Sequence, residues 1–215
     1  MSFKAVMFDL DGTLADTLAD IAASANHALA QLGRPTHPVS SYRYLAGQGL
    51  ESLMIDALGP DHRHLVEKGA ELFRAYYKDH SLDFTRPFDG IPQVLDTLVA
   101  KNIPMAVLSN KPHPATLQVM RDVFGAWPFT VIQGHEPPAP LKPDPTSAMA
   151  IASKLGIAPQ DWLYVGDTRV DMETACRAGF FPLGVLWGFR DEPELQESGA
   201  KKIIAHPLEL LELIG

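Results

Sequence analysis

Residues Lys4–Phe8 form a short apolar run that breaks on Asp9-Leu10-Asp11-Gly12-Thr13. The pattern reads as a buried strand running into a polar turn. From about Thr17 to Leu32, apolar residues recur at helical spacing, with Leu18, Ile21, Ala22, Ala25, Leu29 and Leu32 on one face. Gly33 and Pro35 end that helix. Leu50–Leu58 and Leu65–Lys78 predict two more helices, and no strand signal occurs between Ala15 and Asp83. Beyond that point the period switches repeatedly. Helices are predicted over Ile91–Ala100, His113–Phe124, Thr146–Leu155, Val170–Ala178 and Pro207–Leu213. Between them, strands are predicted over Met105–Leu108, Phe129–Gln133, Leu163–Val165, Leu183–Leu186 and Lys202–Ala205.

Strands alternating with helices imply right-handed crossovers and an α/β fold with a doubly wound, mostly parallel, Rossmann-like sheet. The helical block interrupts this alternation after the first strand. The expected organisation is therefore an α/β core of residues 1–15 and 85–215, with residues 16–84 inserted as an all-helical cap. The 215 residues suffice for one buried core plus such an insertion. The Pro-rich stretch Pro137–Pro145 reads as a stiff loop beside the site.

Charge narrows the partners. Eighteen basic residues against 26 acidic ones give a formal charge of -8. Neither nucleic acid nor an anionic membrane is an expected partner, because both are bound through Lys and Arg. An anionic substrate must be held by a local site instead. Cys176 is the single cysteine, so no intrachain disulfide and no cysteine metal cluster can form. With no apolar run long enough for a bilayer, a cytoplasmic protein is expected, as a monomer or homodimer.

Ligands of doubly wound sheets bind beyond the carboxyl ends of the strands. Four polar clusters lie on that edge: Asp9-Leu10-Asp11-Gly12-Thr13, Ser109-Asn110-Lys111, Lys142-Pro143-Asp144-Pro145 and Gly166-Asp167-Thr168, with Asp171 four residues beyond Asp167. Asp9 and Asp11 share a side by strand alternation. Asp167 arrives from another strand end. Three converging carboxylates repel one another unless a cation joins them, and oxygen-only ligands favour Mg²⁺. A cation beside a lysine outlines a site for phosphoryl transfer. Ser109 and Lys142 are candidates to hold the non-bridging oxygens. One aspartate can act as nucleophile, and its neighbour can move the proton.

In order and spacing, these clusters resemble the four motifs of the haloacid dehalogenase superfamily, and the resemblance extends over the whole chain, helical insertion included. It implies a HAD-like core with Asp9 as nucleophile and metal ligand. It implies Asp11 as general acid and base, ligating Mg²⁺ through its main-chain carbonyl, and Asp167 as the third protein ligand. Asp171 is implied to support the metal shell through water. Ser109 is implied to bind the phosphoryl group with the Asn110 backbone nearby, Gly12 and Thr13 to complete the phosphate loop, and Lys142 to steady the charge. Dehalogenases of the superfamily lack the second aspartate, so Asp11 favours a phosphate ester, whose leaving group needs a proton.

The cap loop Leu45-Ala46-Gly47-Gln48-Gly49-Leu50, with Arg43 before it, resembles that of phosphoglycolate phosphatases. So does Gly184-Val-Leu-Trp-Gly-Phe-Arg. The implied substrate is 2-phosphoglycolate, met by Gly47, Gln48 and Gly49; Arg43 reads either as a carboxylate clamp or as a surface residue. Alternatives are another small phosphate (sugar phosphate, nucleotide or pyrophosphate), a phosphomutase, or a non-catalytic phosphate-binding regulator. His62 and His64 read as solvated, His113 as lining a loop, Cys176 as a small buried residue, Trp162 and Trp187 as packing residues, and Glu192, Glu194 and Glu197 as a solvated face.

Overall fold

The computed structural model describes residues 3–214. Six strands form one sheet: β1 (Ala5–Phe8), β4 (Met105–Pro112), β5 (Val131–His135), β6 (Trp162–Gly166), β7 (Phe181–Val185) and β8 (Lys202–Ile204). Two more, β2 (Ala15–Asp16) and β3 (Arg86–Pro87), pair apart from it. The sheet order is β5-β4-β1-β6-β7-β8, and every pairing in it is parallel. The chain moves outward from β1 to β4 and β5, then crosses back to β6 on the other side. β1 therefore stands at the point where strand order reverses, where such sheets open a crevice.

Alternation along β1 decides what covers each face. Val6 and Phe8 join Leu95, Leu98, Val107, Val119, Leu163 and Leu183 in one core layer. That layer lies beneath α5 (Ile91–Ala100) and α6 (His113–Phe124). Ala5 and Met7 point the other way, into a layer with Ala106, Trp162, Tyr164, Ile151 and Ala175. There α7 (Thr146–Leu155) and α8 (Arg169–Ala178) pack. Strands buried on both faces explain their continuous apolar runs.

The insertion has a core of its own. Helices α1 (Leu18–Gln31), α2 (Tyr42–Leu45), α3 (Leu50–Leu58) and α4 (Val66–His80) bury Ile21, Ala25, Leu29, Tyr42, Leu53, Met54, Phe73 and Tyr77 together. Phe189, from the loop after β7, enters this cluster, so the core supplies one apolar anchor to the helical layer.

The chain leaves and re-enters the core side by side. β2 and β3 pair antiparallel, Ala15 opposite Pro87 and Asp16 opposite Arg86. Buried Asp20, in the first turn of α1, ties the return strand down. Its carboxylate accepts from Phe84 N at 3.1 Å, Thr85 N at 2.8 Å and Thr85 Oγ1 at 2.6 Å. This ribbon corrects the expectation of no strand from Ala15 to Asp83; two residues are too few for an apolar alternation to register.

Other boundaries shift for similar reasons. The second sheet strand continues past Leu108 to Pro112, with a register shift between Leu108 and Pro112, so Ser109, Asn110 and Lys111 lie on the strand itself. Pro207–Glu212 is 3₁₀ instead of α. Glu192, Glu194 and Glu197 belong to a short helix, α9 (Glu192–Glu197), begun by Pro193. Cys176 is exposed, contrary to the expected burial, because it sits on the outer side of α8, with its Sγ 3.6 Å from the Gly199 carbonyl. Among the described residues no helix is long and apolar enough to cross a membrane.

Candidate active site

The carboxyl ends of β1, β4 and β6 bring Asp9, Ser109 and Asp167 to one edge, as parallel strands in register require. Asp9 follows β1, and its amide donates to Val165 O at 3.0 Å. Its carboxylate meets Lys142, whose Nζ lies 2.9 Å from Oδ1. That oxygen is buried and has no hydrogen bond of good geometry. Lys142 Nζ also donates to Asp171 Oδ1 at 2.7 Å and to Leu108 O at 3.0 Å. The ammonium therefore sits between two carboxylates, nearly all of it out of water.

A loop residue holds such a position only if its backbone is fixed. Asn110 does this from β4. Its side chain accepts from Lys142 N at 2.7 Å and donates to Lys142 O at 3.0 Å and Gly47 O at 3.2 Å. One amide thus clamps the lysine loop and reaches the cap loop. Asp171 is fixed by its own helix. Its Oδ2 accepts from Thr168 N at 3.1 Å and Thr168 Oγ1 at 2.7 Å, in a capping box that opens α8. Both of its oxygens are engaged.

Asp167 is fully buried and accepts from Thr13 Oγ1 and Phe189 N, each at 2.8 Å. Glycines make room for it. Gly12 has φ +86°, and a Cβ there would collide with Asp167 Oδ2. A Cβ at Gly188 would strike Asp167 Cβ and the Gly12 carbonyl.

Burial and mutual repulsion set the charge state. Burial and the Asp171 carboxylate push Asp9 up to about 7 from 3.8, against the pull of Lys142. Asp167 is held well above its ordinary value by burial, Asp171 and Asp9. For Lys142, burial acts to lower the value, and Asp171 and Asp9 outweigh it, leaving the ammonium firmly protonated. Asp9, Asp167 and Asp171 each offer an oxygen within 4.8 Å of the others. Three crowded, buried carboxylates, one with an oxygen lacking a hydrogen bond, suit a hard divalent cation.

Asp11 is turned elsewhere. Its oxygens lie 2.9 and 3.0 Å from Lys111 Nζ, which sits 4.6 Å over the Tyr77 ring of α4. Burial would lower the Lys111 ammonium; Asp11 overcomes it and holds the value raised. Ser109 Oγ accepts from Lys111 N at 3.2 Å. Asp9, Asp11, Ser109, Asn110, Lys111, Gly47 and Gly49 all line a cavity of about 430 Å³ between sheet edge and cap. Its far wall is apolar, with Ile21, Leu53, Phe73 and Tyr77.

The remaining sequence candidates divide. Gly12 and Thr13 support Asp167 from beneath and are not in the cavity wall. Gln48 is exposed and also lies outside the wall. The Arg43 guanidinium donates to Gly188 O at 2.8 Å and Phe189 O at 3.2 Å, bridging cap and core. Arg190 answers in the reverse direction, donating to Tyr44 O and Ala46 O. His113 Nδ1 accepts from Gly134 N at 3.1 Å, as a loop-lining residue would. Trp187 packs on the core and donates to Thr13 O at 3.0 Å.

Lys111 and residues 187–190 make contacts at the site that the sequence names only as part of a polar cluster and of the stretch 184–190, without a role for either. Lys111 was visible as the third member of its cluster. The loop's ties to Asp167 and the cap had no periodic signal.

Residues 6–185 match the family described as haloacid dehalogenase-like hydrolase. The phosphoglycolate phosphatase of Neisseria meningitidis is 34% identical over 204 residues, covering 93% of this chain and 87% of the relative. That of Yersinia pseudotuberculosis is 31% identical and covers 100% and 94%. A protein from Lactobacillus delbrueckii subsp. bulgaricus superposes with a TM-score of 0.92 at 30% identity, covering 100% and 99%. A haloacid dehalogenase-like family hydrolase from Streptococcus pneumoniae gives 0.89 at 25%, covering 99% of each. With the buried Asp9–Lys142–Asp171 cluster and Asp11 at the cavity, these matches establish that the chain belongs to the haloacid dehalogenase-like hydrolase family, among its phosphatases.

Proposed function

We propose that the protein is a Mg²⁺-dependent phosphatase that hydrolyses 2-phosphoglycolate through an aspartyl-phosphate on Asp9. The observation that carries this reading is the geometry of Asp9. It is a buried carboxylate at a strand end, paired with Lys142 and open to a cavity that also holds Asp11 and Ser109. Names of relatives supply the substrate.

In this account Asp9 and Asp167 would hold Mg²⁺ together with the Asp11 main-chain carbonyl, and Asp171 would support the shell. The bound cation supplies charge neutralisation for the phosphate and for the crowded carboxylates. Lys142 and Ser109 hold non-bridging phosphoryl oxygens, as does the Asn110 backbone, with Gly12 and Thr13 shaping the loop beneath. An Asp9 oxygen attacks phosphorus, the ester P–O bond breaks, and Asp11 gives its proton to the departing alcohol oxygen. Water then attacks phosphorus, passes a proton to Asp11, and the Asp9–phosphate bond breaks to release inorganic phosphate. Gly47, Gln48 and Gly49, with Arg43 behind them, form the edge of a cap over residues 16–84 that excludes water during the reaction. A cytoplasmic location, a small phosphorylated metabolite as partner and a monomer or homodimer belong to the same reading.

The test is a panel of phosphate monoesters ranked by kcat/KM in Mg²⁺ and in EDTA, with wild type and Asp9→Asn. Hydrolysis that needs Mg²⁺, falls by several orders of magnitude in the variant and ranks 2-phosphoglycolate near the top bears the reading out. Full activity in EDTA or in Asp9→Asn overturns it.

A further inference from the structure

A proton donor must touch the oxygen it serves. In this structure both Asp11 oxygens are instead directed at one ammonium, Lys111 Nζ, at 2.9 and 3.0 Å. Asp11 is therefore held by a partner that takes no part in the reaction steps above. Something must separate the pair during turnover.

The environment of Lys111 limits what that can be. Its side chain is 6% exposed, and Asp11 is its sole carboxylate partner among the described residues. Losing one member of a buried ion pair leaves the other uncompensated and is strongly unfavourable. An incoming group must therefore be an anion. The cavity offers that anion a second contact. Tyr77 is buried, lines the wall beside Lys111, and its hydroxyl has no hydrogen-bond partner. A lysine ammonium and an adjacent unpartnered phenol on one cavity wall form a receptor for a carboxylate.

We propose that Lys111 and Tyr77 are the receptor for an anionic group on the leaving alcohol, and that this group takes Lys111 from Asp11, freeing Asp11 to turn to the ester oxygen. The inference rests on the phosphatase reading and goes beyond it. Lys111 becomes a specificity residue and a positioning residue for Asp11. The substrate class becomes monoesters whose alcohol carries a carboxylate close to the ester oxygen. A neutral substrate of the same size binds but leaves the Lys111–Asp11 pair intact, so its loss appears mainly in kcat. Because Tyr77 belongs to the helical layer and Lys111 to the sheet edge, and the ammonium lies over the Tyr77 ring, occupation of the receptor bears on a contact between the two sides of the cavity.

The experiment compares 2-phosphoglycolate with carbamoylmethyl phosphate, its neutral amide, on the Mg²⁺-loaded enzyme. Wild type is expected to favour the acid by about tenfold to a hundredfold in kcat, the range a charge-assisted hydrogen bond supplies. In Lys111→Met that preference collapses toward unity. Lys111→Arg restores part of the preference. A preference that survives in Lys111→Met overturns the proposal. So does an equal fall in both turnovers, which marks Lys111 as merely structural. If Lys111→Met folds poorly, Tyr77→Phe carries the same reading: its acid preference drops several-fold, and an unchanged preference counts against the receptor. Wild type that turns over neutral and acidic monoesters equally defeats this proposal and leaves the phosphatase reading intact. Absence of turnover on every monoester defeats both.

Discussion

Replacing Lys142 by methionine tests the electrostatic logic of the site without touching the nucleophile. The side chain keeps its length and apolar stem, and only the ammonium is lost. That ammonium donates to Asp171 and Leu108 O and sits 2.9 Å from Asp9, with Asp167 in the same cluster. Removing one member of a buried ion pair costs about 3–5 kcal/mol. A change of this size lowers the melting temperature of a chain this long by about 6–20 °C. Circular dichroism melts in EDTA should read that fall directly. Added Mg²⁺ should stabilise the variant more than wild type, since the cation then neutralises a more negative cluster. Lys142→Met combined with Asp171→Asn should lose less stability than the sum of the single variants, because the two side chains interact. A melting temperature within about 2 °C of wild type in EDTA would refute the claim that Lys142 balances the carboxylates, given the sensitivity just used.

The linker and the apo site each make a prediction. Asp20→Ala removes the acceptor for Phe84 N, Thr85 N and Thr85 Oγ1, and should cost about 3 kcal/mol, the penalty of one or two buried donors left unpaired. Urea unfolding measures it, and a change below about 1 kcal/mol would show the ribbon is held by other means. The pH dependence follows from Asp9, whose value rises from 3.8 unfolded to about 7 folded. A raised acid stabilises the fold below its unfolded value, and that contribution is lost as pH climbs through the folded value. In EDTA, stability should therefore decline between about pH 4 and 7, with Asp167 acting in the same direction, and Mg²⁺ should recover it above pH 7. Stability that rises across this interval in EDTA contradicts the assignment.

The two periods in the sequence, helical in the insertion and alternating strand and helix in the rest, were enough to read the architecture. Ile91–Ala100, His113–Phe124 and Thr146–Leu155 begin and end where the pattern predicts, because Gly or Pro marks each start or stop. The four motif clusters were legible for a different reason: parallel strands must deliver their carboxyl ends to one edge. What escaped was whatever depends on a single long-range contact. The β2–β3 ribbon is two residues wide. The extension of β4 through Ser109–Lys111 follows a register shift that no propensity encodes. The Lys111–Asp11 pair joins residues 100 positions apart, and the Arg43 contacts with Gly188 and Phe189 span nearly 150. Asp171 was expected near the metal; the structure adds that both of its oxygens are committed to Lys142 and Thr168.

The central claim is that Asp9 attacks phosphorus. Borohydride reduction of the enzyme quenched during turnover of 2-phosphoglycolate, followed by peptide mass spectrometry, reads it directly, because an acyl phosphate is reduced and a free carboxylate is not. The account predicts reduction at Asp9 alone, dependent on Mg²⁺ and absent in Asp9→Asn. Reduction at another carboxylate, or continued phosphate release with none at Asp9, would contradict it.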